Sequence, residues 1–187
     1  MIILVTGGAR SGKSSFAEAL AAKLGPRILY VATAVPFDEE MADRIKKHQS
    51  ARPKTWQTKE AYQNFGAVFT PGFDGAILDC VTILVTNLMM DEKIDWETAP
   101  METVNQAEAR LQSEIDGLVT AAKKAAYPVV MVTNELGMGV VPQNRFTRVF
   151  RDIAGRVNQK LAQNAAEVYF TVSGIPIKIK GEGGALV

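Results

Sequence analysis

Met1-Ile2-Ile3-Leu4-Val5-Thr6-Gly7-Gly8-Ala9-Arg10-Ser11-Gly12-Lys13-Ser14 is the stretch on which the fold turns. Residues 2–6 form a short apolar run rich in β-branched side chains, the pattern of a buried strand. Gly7 through Ser14 then fits G-x-x-x-x-G-K-[ST] at every fixed position. From residue 13 to 24 Phe16, Leu20 and Leu24 recur at spacing four with alanines between them, and Gly25-Pro26 stops the helix. Glycines allow a backbone to wrap closely and aim its N–H groups at phosphate oxygens. The helix N-terminus adds its positive dipole end. Lys13 is placed to neutralise β- and γ-phosphates, and the Ser14 hydroxyl to join the shell of a Mg²⁺ ion. A connecting turn with no ligand is the alternative, and it leaves a complete motif in its proper strand–helix context to coincidence.

The same alternation continues along the chain. Residues 28–33 read as a second strand, 38–49 as a helix, 76–78 as a third strand and 82–90 as a helix. A long helix over 100–126 carries Leu111, Ile115 and Leu118 on one face. Residues 128–133 read as a fully buried strand, 145–166 as an amphipathic helix, 167–173 as a strand, and 175–179 as a short last one. Apolar strands separated by helices give βαβ units and a sheet covered on both faces. The expectation is an α/β fold of the P-loop NTPase, RecA-like type: a mostly parallel sheet with helices on both faces, in one domain over 1–187. Ligands of such sheets sit beyond the carboxyl ends of the strands.

Composition narrows the function. The chain has 187 residues, 47% hydrophobic and 22% charged, with a net charge of +1. No global field draws nucleic acid or an anionic membrane, and no basic stripe interleaved with aromatics is present. No run reaches the roughly 18 apolar residues of a spanning helix. The N-terminus lacks a basic n-region and runs into glycines rather than a cleavage site, so a cytoplasmic location is expected. One cysteine, Cys80, excludes an intrachain disulfide, and one histidine excludes His-paired metal centres.

A nucleotide site of this kind needs a carboxylate near the metal. Asp79 ends the apolar run Ala76-Ile77-Leu78, which suits that position; capping the next helix is the alternative. Glu135, after Val132-Thr133-Asn134, is a second candidate acid or else a loop carboxylate. His48 lies in Met41-Ala-Asp-Arg-Ile-Lys-Lys-His48-Gln-Ser-Ala-Arg52-Pro53. On a helix it shares a face with Arg44 and Ile45, and Arg52 follows closely. Neighbouring cations favour neutral imidazole and pair with phosphate oxygens. Neutral imidazole attacks an α-phosphate to give a phosphoramidate that passes its nucleotidyl group onward. A solvated basic helix face is the competing reading, and a nucleotide carried on Lys46 or Lys47 is a third.

These stretches together resemble the bifunctional adenosylcobinamide kinase / adenosylcobinamide-phosphate guanylyltransferase family of cobalamin biosynthesis. The resemblance is carried by residues 5–14, Leu29-Tyr-Val-Ala-Thr33, Asp38-Glu-Glu-Met41, Arg44-Ile45, His48, Arg52-Pro53 and Trp56. It continues in Val85-Thr-Asn-Leu88, Val132-Thr-Asn-Glu-Leu-Gly-Met-Gly139, residues 150–159 and Val172-Ser-Gly174. It implies phosphorylation of the aminopropanol hydroxyl of adenosylcobinamide by ATP or GTP. Transfer of GMP from GTP through a guanylyl-histidine follows, giving adenosylcobinamide-GDP. By residue matching His48 is that nucleophile. The nucleotide contacts implied are Gly7, Gly8, Ala9, Arg10, Ser11, Gly12, Lys13, Ser14, Ala32, Thr33, Ala34, Gln49, Ser50, Ala51, Arg52, Glu60 and Asp79, with Mg²⁺ at Ser14 and Asp79. The resemblance also implies a homo-oligomer, trimeric in some members. Two departures stand out: Lys47-His48 where relatives often have His-His, and Asp79 where they often have Glu. A single-function P-loop kinase and a nucleotide-binding regulatory NTPase are the competing functions.

The later blocks leave more open. The glycines of Asn134-Glu-Leu-Gly-Met-Gly139 suit close approach to the corrinoid or a neighbouring subunit, or an ordinary turn. Arg145, Arg148, Arg151 and Arg156 read as a solvated face or as phosphate ligands across a subunit boundary. Trp56 and Trp96 read as packing.

Overall fold

The structure, a computed structural model, describes residues 1–34 and 53–182. The expected helix over 38–49, with His48, Gln49, Ser50, Ala51 and Arg52, lies outside the described residues. The strands are β1 (Ile2–Gly7), β2 (Ile28–Ala32), β3 (Gln57–Glu60), β4 (Gly75–Asp79), β5 (Val129–Asn134), β6 (Glu167–Val172) and β7 (Ile175–Lys180). The helices are α1 (Lys13–Ala22), α2 (Val81–Asp91), α3 (Met101–Lys124) and α4 (Arg145–Asn164). Among the described residues, seven strands join one sheet in the order β3-β2-β4-β5-β1-β6-β7. Every pairing is parallel except the β6–β7 hairpin. The strand β5 separates β1, which feeds the glycine loop, from β4, which ends in Asp79, as a RecA-like arrangement requires.

Side chains alternate across a strand, so each central strand feeds two cores. Ile3, Val5, Ile28, Tyr30, Ile77, Val130 and Val132 pack toward Ala17 and Ala21 of α1. Ile2, Leu4, Leu29, Val31, Leu78 and Met131 face the opposite layer, built from α2, α3 and α4. The periodicity of α3 explains its docking: Val104, Ala107, Leu111, Ile115, Leu118 and Ala122 form its buried stripe. Trp96 is buried with its Nε1–H donating to the Met89 carbonyl at 3.1 Å, and Trp56 packs beside Tyr30. Both tryptophans serve packing, as expected.

Sequence and structure differ at one sheet edge. The strand β3, Gln-Thr-Lys-Glu, was not expected, because its polar side chains give no strand pattern. Backbone pairing with β2 makes it a strand, and an edge position tolerates its polarity. The last strand, expected over 175–179, spans Ile175–Lys180 and is exposed along nearly all its length.

Candidate active site

Parallel strands bring the carboxyl ends of β1, β2, β3, β4, β5 and β6 to one side of the sheet. Register shows how tightly: Ala32 pairs with Glu60 on one flank and Asp79 on the other. Gly7 likewise pairs with both Asn134 and Thr171. The expected positions Gly7–Ser14, Ala32–Ala34, Glu60 and Asp79 therefore share one edge.

The loop after β1 is constrained by its surroundings. Gly7 is buried, and a Cβ there would lie 2.5 Å from the Thr171 carbonyl oxygen and 2.6 Å from Ser11 Oγ. Ala9 and Arg10 are exposed, while Ser11 is buried. Gly12 takes φ +88°, a left-handed value that glycine adopts without strain. It precedes α1, where no side chain caps the N-terminus. The first N–H groups of this helix have no intrahelical acceptor and are open to an anion. Lys13 Nζ donates to the Gly8 carbonyl at 3.3 Å, which keeps the ammonium folded over the loop. Ser14 sits in the first helical turn, half-buried.

Asp79 closes β4 and accepts a 2.8 Å hydrogen bond from the Tyr30 hydroxyl on its Oδ2. Tyr30 thus orients the carboxylate, a role that the sequence did not reveal. Thr33 is engaged at every polar atom. Its Oγ1 donates to the Cys80 carbonyl and accepts from the Cys80 N–H, and its N–H donates to the Asp79 carbonyl. Its carbonyl accepts from Asn87 Nδ2 at 2.7 Å. Thr33 locks β2 to β4 and offers a ligand only a wall. Ala32, Ala34 and Glu60 line a cleft of about 300 Å³ with Ala61, Tyr62 and Gln63. This cleft joins three of the expected nucleotide contacts, Glu60 included, although Glu60 looks unremarkable in sequence.

Cys80 adjoins Asp79 but is no candidate nucleophile. Burial, and then the Asp79 charge, push its thiol from the ordinary 9.0 to about 11. The unfolded chain therefore loses this proton first, so stability falls as pH rises from about 9 toward 11. At pH 8 an aromatic disulfide reagent should label the native chain at least about 100-fold more slowly than the urea-unfolded one. Comparable rates would show a thiol far more accessible and acidic than its surroundings dictate.

The later blocks act as braces. Asn134 N–H donates to Thr82 Oγ1 at 2.7 Å, and Asn158 Nδ2 donates to the Asn134 carbonyl at 3.0 Å. Thr133 Oγ1 donates to Asn158 Oδ1 at 2.7 Å. Helices α2 and α4 thereby hold the end of β5, which sequence reasoning missed because single polar residues in helices carry no pattern. Glu135 Oε1 accepts from the Gly137 N–H at 2.6 Å, closing its own turn. Arg148 donates to the Pro142 and Gln143 carbonyls and Arg151 to the Val140 carbonyl, while Arg156 pairs with Glu108. Arg148 and Arg151 bind the chain's own loop, while Arg156 keeps 51% of its side chain in solvent beside Glu108, in line with a solvated charged face. Among the described residues no three His, Cys, Asp or Glu side chains gather as a metal cage. No described helix is long and apolar enough to cross a membrane.

Known proteins match this chain over nearly its whole length. It is 46% identical to the bifunctional adenosylcobalamin biosynthesis protein CobU of Salmonella typhimurium, covering 96% of this chain and 100% of that one. Identity to the protein of the same name from Escherichia coli is 48%, with the same coverage. The bifunctional adenosylcobalamin biosynthesis protein CobP of Pseudomonas aeruginosa is 35% identical over 96% of this chain and 97% of its own. Among solved structures, the flagellar accessory protein FlaH of Methanocaldococcus jannaschii covers 100% of this chain and 81% of its own at 14% identity. Its TM-score of 0.44 is too low to bear on function. The model of the family described as cobinamide kinase / cobinamide phosphate guanyltransferase matches residues 3–179, and this chain belongs to that family.

Proposed function

We propose that a single phosphate loop, residues 7–14, serves both activities of this bifunctional cobinamide kinase and cobinamide-phosphate guanylyltransferase. In the first reaction the loop holds the β- and γ-phosphates of ATP or GTP, with Lys13 on the transferring group. The aminopropanol hydroxyl of adenosylcobinamide attacks the γ-phosphorus and the nucleoside diphosphate leaves. Positioning and charge stabilisation carry most of such a transfer. In the second reaction the same loop holds the β- and γ-phosphates of GTP while His48 attacks the α-phosphorus and pyrophosphate departs. The phosphate of adenosylcobinamide phosphate then takes GMP from the imidazole, giving adenosylcobinamide-GDP and freeing His48.

The observation that carries this reading is the loop itself: an uncapped helix N-terminus, a folded-in Lys13 and a left-handed Gly12 at the sheet edge that also bears Asp79. Ala32, Ala34 and Glu60 offer the adjoining cleft for the nucleoside, and Thr33 forms its wall. Gln49, Ser50, Ala51 and Arg52 complete the nucleotide contacts.

Mg²⁺ fits the donors present. Ser14 and Asp79 supply hard oxygens, and an ion that keeps its waters and binds phosphate needs no protein cage. When bound, it would neutralise charge on the phosphates. Tyr30 holds one oxygen of Asp79, and in this reading the other oxygen serves that shell. The whole chain acts as one catalytic domain in the cytoplasm. Exposed Ile175, Ile177 and Ile179 on β7 support assembly into a homo-oligomer, a trimer among the candidates.

Incubation of the purified chain with adenosylcobinamide, GTP and Mg²⁺ should yield two successive corrinoid products, the phosphate and then the GDP derivative. A reaction that halts at the phosphate would favour the plain kinase; no corrinoid product at all would favour a regulatory NTPase.

A further inference from the structure

Two loops outside the glycine motif grip it by its carbonyls. The Gly7 carbonyl accepts from the Glu135 N–H at 3.1 Å, and the Ser11 carbonyl from the Gly174 N–H at 2.8 Å. The Gly8 carbonyl accepts from the Ser11 N–H and from Lys13 Nζ, and the Gly12 carbonyl from the Phe16 N–H. In a planar trans peptide the C=O and N–H point in opposite directions. Fixing the Gly7 and Ser11 carbonyls from outside therefore turns the Gly8 and Gly12 N–H groups the other way, away from these anchors. A cradle that stabilises anionic oxygens depends on donors oriented before the ligand arrives.

The Gly174 anchor is built with care. Ser173 and Gly174 have φ of +50° and +83° and join the paired residues Val172 and Ile175 as a two-residue turn. A Cβ on Gly12 would lie 3.0 Å from Gly174 Cα, so loop and turn are in direct contact. The hairpin is itself fixed. Lys178 Nζ lies 3.2 Å from Glu167, the Tyr169 hydroxyl donates to Glu167 at 2.7 Å, and the Tyr169 ring packs 5.1 Å from Phe16 of α1. Hairpin and helix hold the loop between them.

We propose that the Ser173–Gly174 turn, seconded by the Glu135 turn, is a positioning element of the phosphate loop, with Gly174 setting nucleotide affinity in both reactions. This rests on the reading that residues 7–14 hold the nucleotide. A Cβ at Gly174 meets nothing within 4 Å, so a substitution there acts through backbone conformation rather than by collision. Valine strongly disfavours the left-handed region, whereas asparagine tolerates it.

The test compares full-length Gly174→Val and Gly174→Asn by steady-state kinetics with GTP, beside thermal unfolding. Gly174→Val should raise KM for GTP by about tenfold in both reactions with kcat within about threefold, and Gly174→Asn should recover most of the loss. A merely structural role would lower the melting temperature and the active fraction, hence kcat, and leave KM alone. Wild-type KM in folded Gly174→Val, or equal KM for the two variants, overturns the proposal. Should Gly174→Val not fold, Glu135→Ala takes its place against Glu135→Gln, since only the second keeps an acceptor for the Gly137 N–H. A raised KM confined to Glu135→Ala supports the proposal and an unchanged one overturns it. Lys13→Ala is the control. If it binds GTP like wild type, the loop assignment itself fails; if it loses GTP while the turn variants keep it, only the positioning role fails.

Discussion

His48→Ala should phosphorylate adenosylcobinamide and then stop, with the GDP derivative falling by at least about 1,000-fold. Deleting a covalent nucleophile removes an entire route, so its effect exceeds that of losing one contact. The phosphoryl transfer runs directly between nucleotide and hydroxyl and has no step through the imidazole. The two products therefore separate: the corrinoid phosphate accumulates, as chromatography of the reaction mixture would show. Lys47→Ala carries the comparison, because an amine could bear a nucleotide only if deprotonated. It should keep both products. A variant pair with the opposite pattern would move the covalent role from His48 to Lys47. Loss of both products in His48→Ala would instead place this residue in binding rather than in group transfer.

Lys13→Ala should depress both reactions together, each by about 100- to 1,000-fold in kcat/KM, the scale expected for removing one charged group from a developing anion. Lys13 already lies over the loop through its bond to the Gly8 carbonyl, so little ordering remains before it meets phosphate. The joint loss is the informative part. One loop that grips the β- and γ-phosphates in both reactions must lose both when its cation goes. A Lys13→Ala chain that makes no corrinoid phosphate yet guanylylates histidine at the wild-type rate would require a second triphosphate site.

What the sequence disclosed follows from how local each signal is. The glycine loop, the buried strands and Asp79 were legible because each rests on a contiguous pattern: fixed motif positions, unbroken β-branched runs, or an acid ending an apolar strand. Strand β3 was not, because pairing with β2 outweighs its polar residues. The brace formed by Thr82, Thr133 and Asn158 was hidden for a different reason. Its members come from three elements, and nothing in the neighbourhood of each residue hints at the others. The arginines of α4 suggested a solvated face or phosphate ligands; Arg156 does lie half in solvent, but the carbonyls that Arg148 and Arg151 meet within the chain carry no sequence signal. Glu60 entered through family resemblance alone, and strand register brings it beside Ala32 at the cleft. The loop glycines showed their type in sequence but not their cause. The crowding of Gly7 by Thr171 and of Gly12 by Gly174 comes from a hairpin more than 150 residues away along the chain.

The most direct measurement is the transfer of label from α-labelled GTP to the protein without corrinoid, followed by denaturation and treatment with acid or alkali. Wild type should retain label that acid releases and alkali spares, as a phosphoramidate requires, and His48→Ala should retain none. Label of the same stability on His48→Ala would contradict the account at its centre.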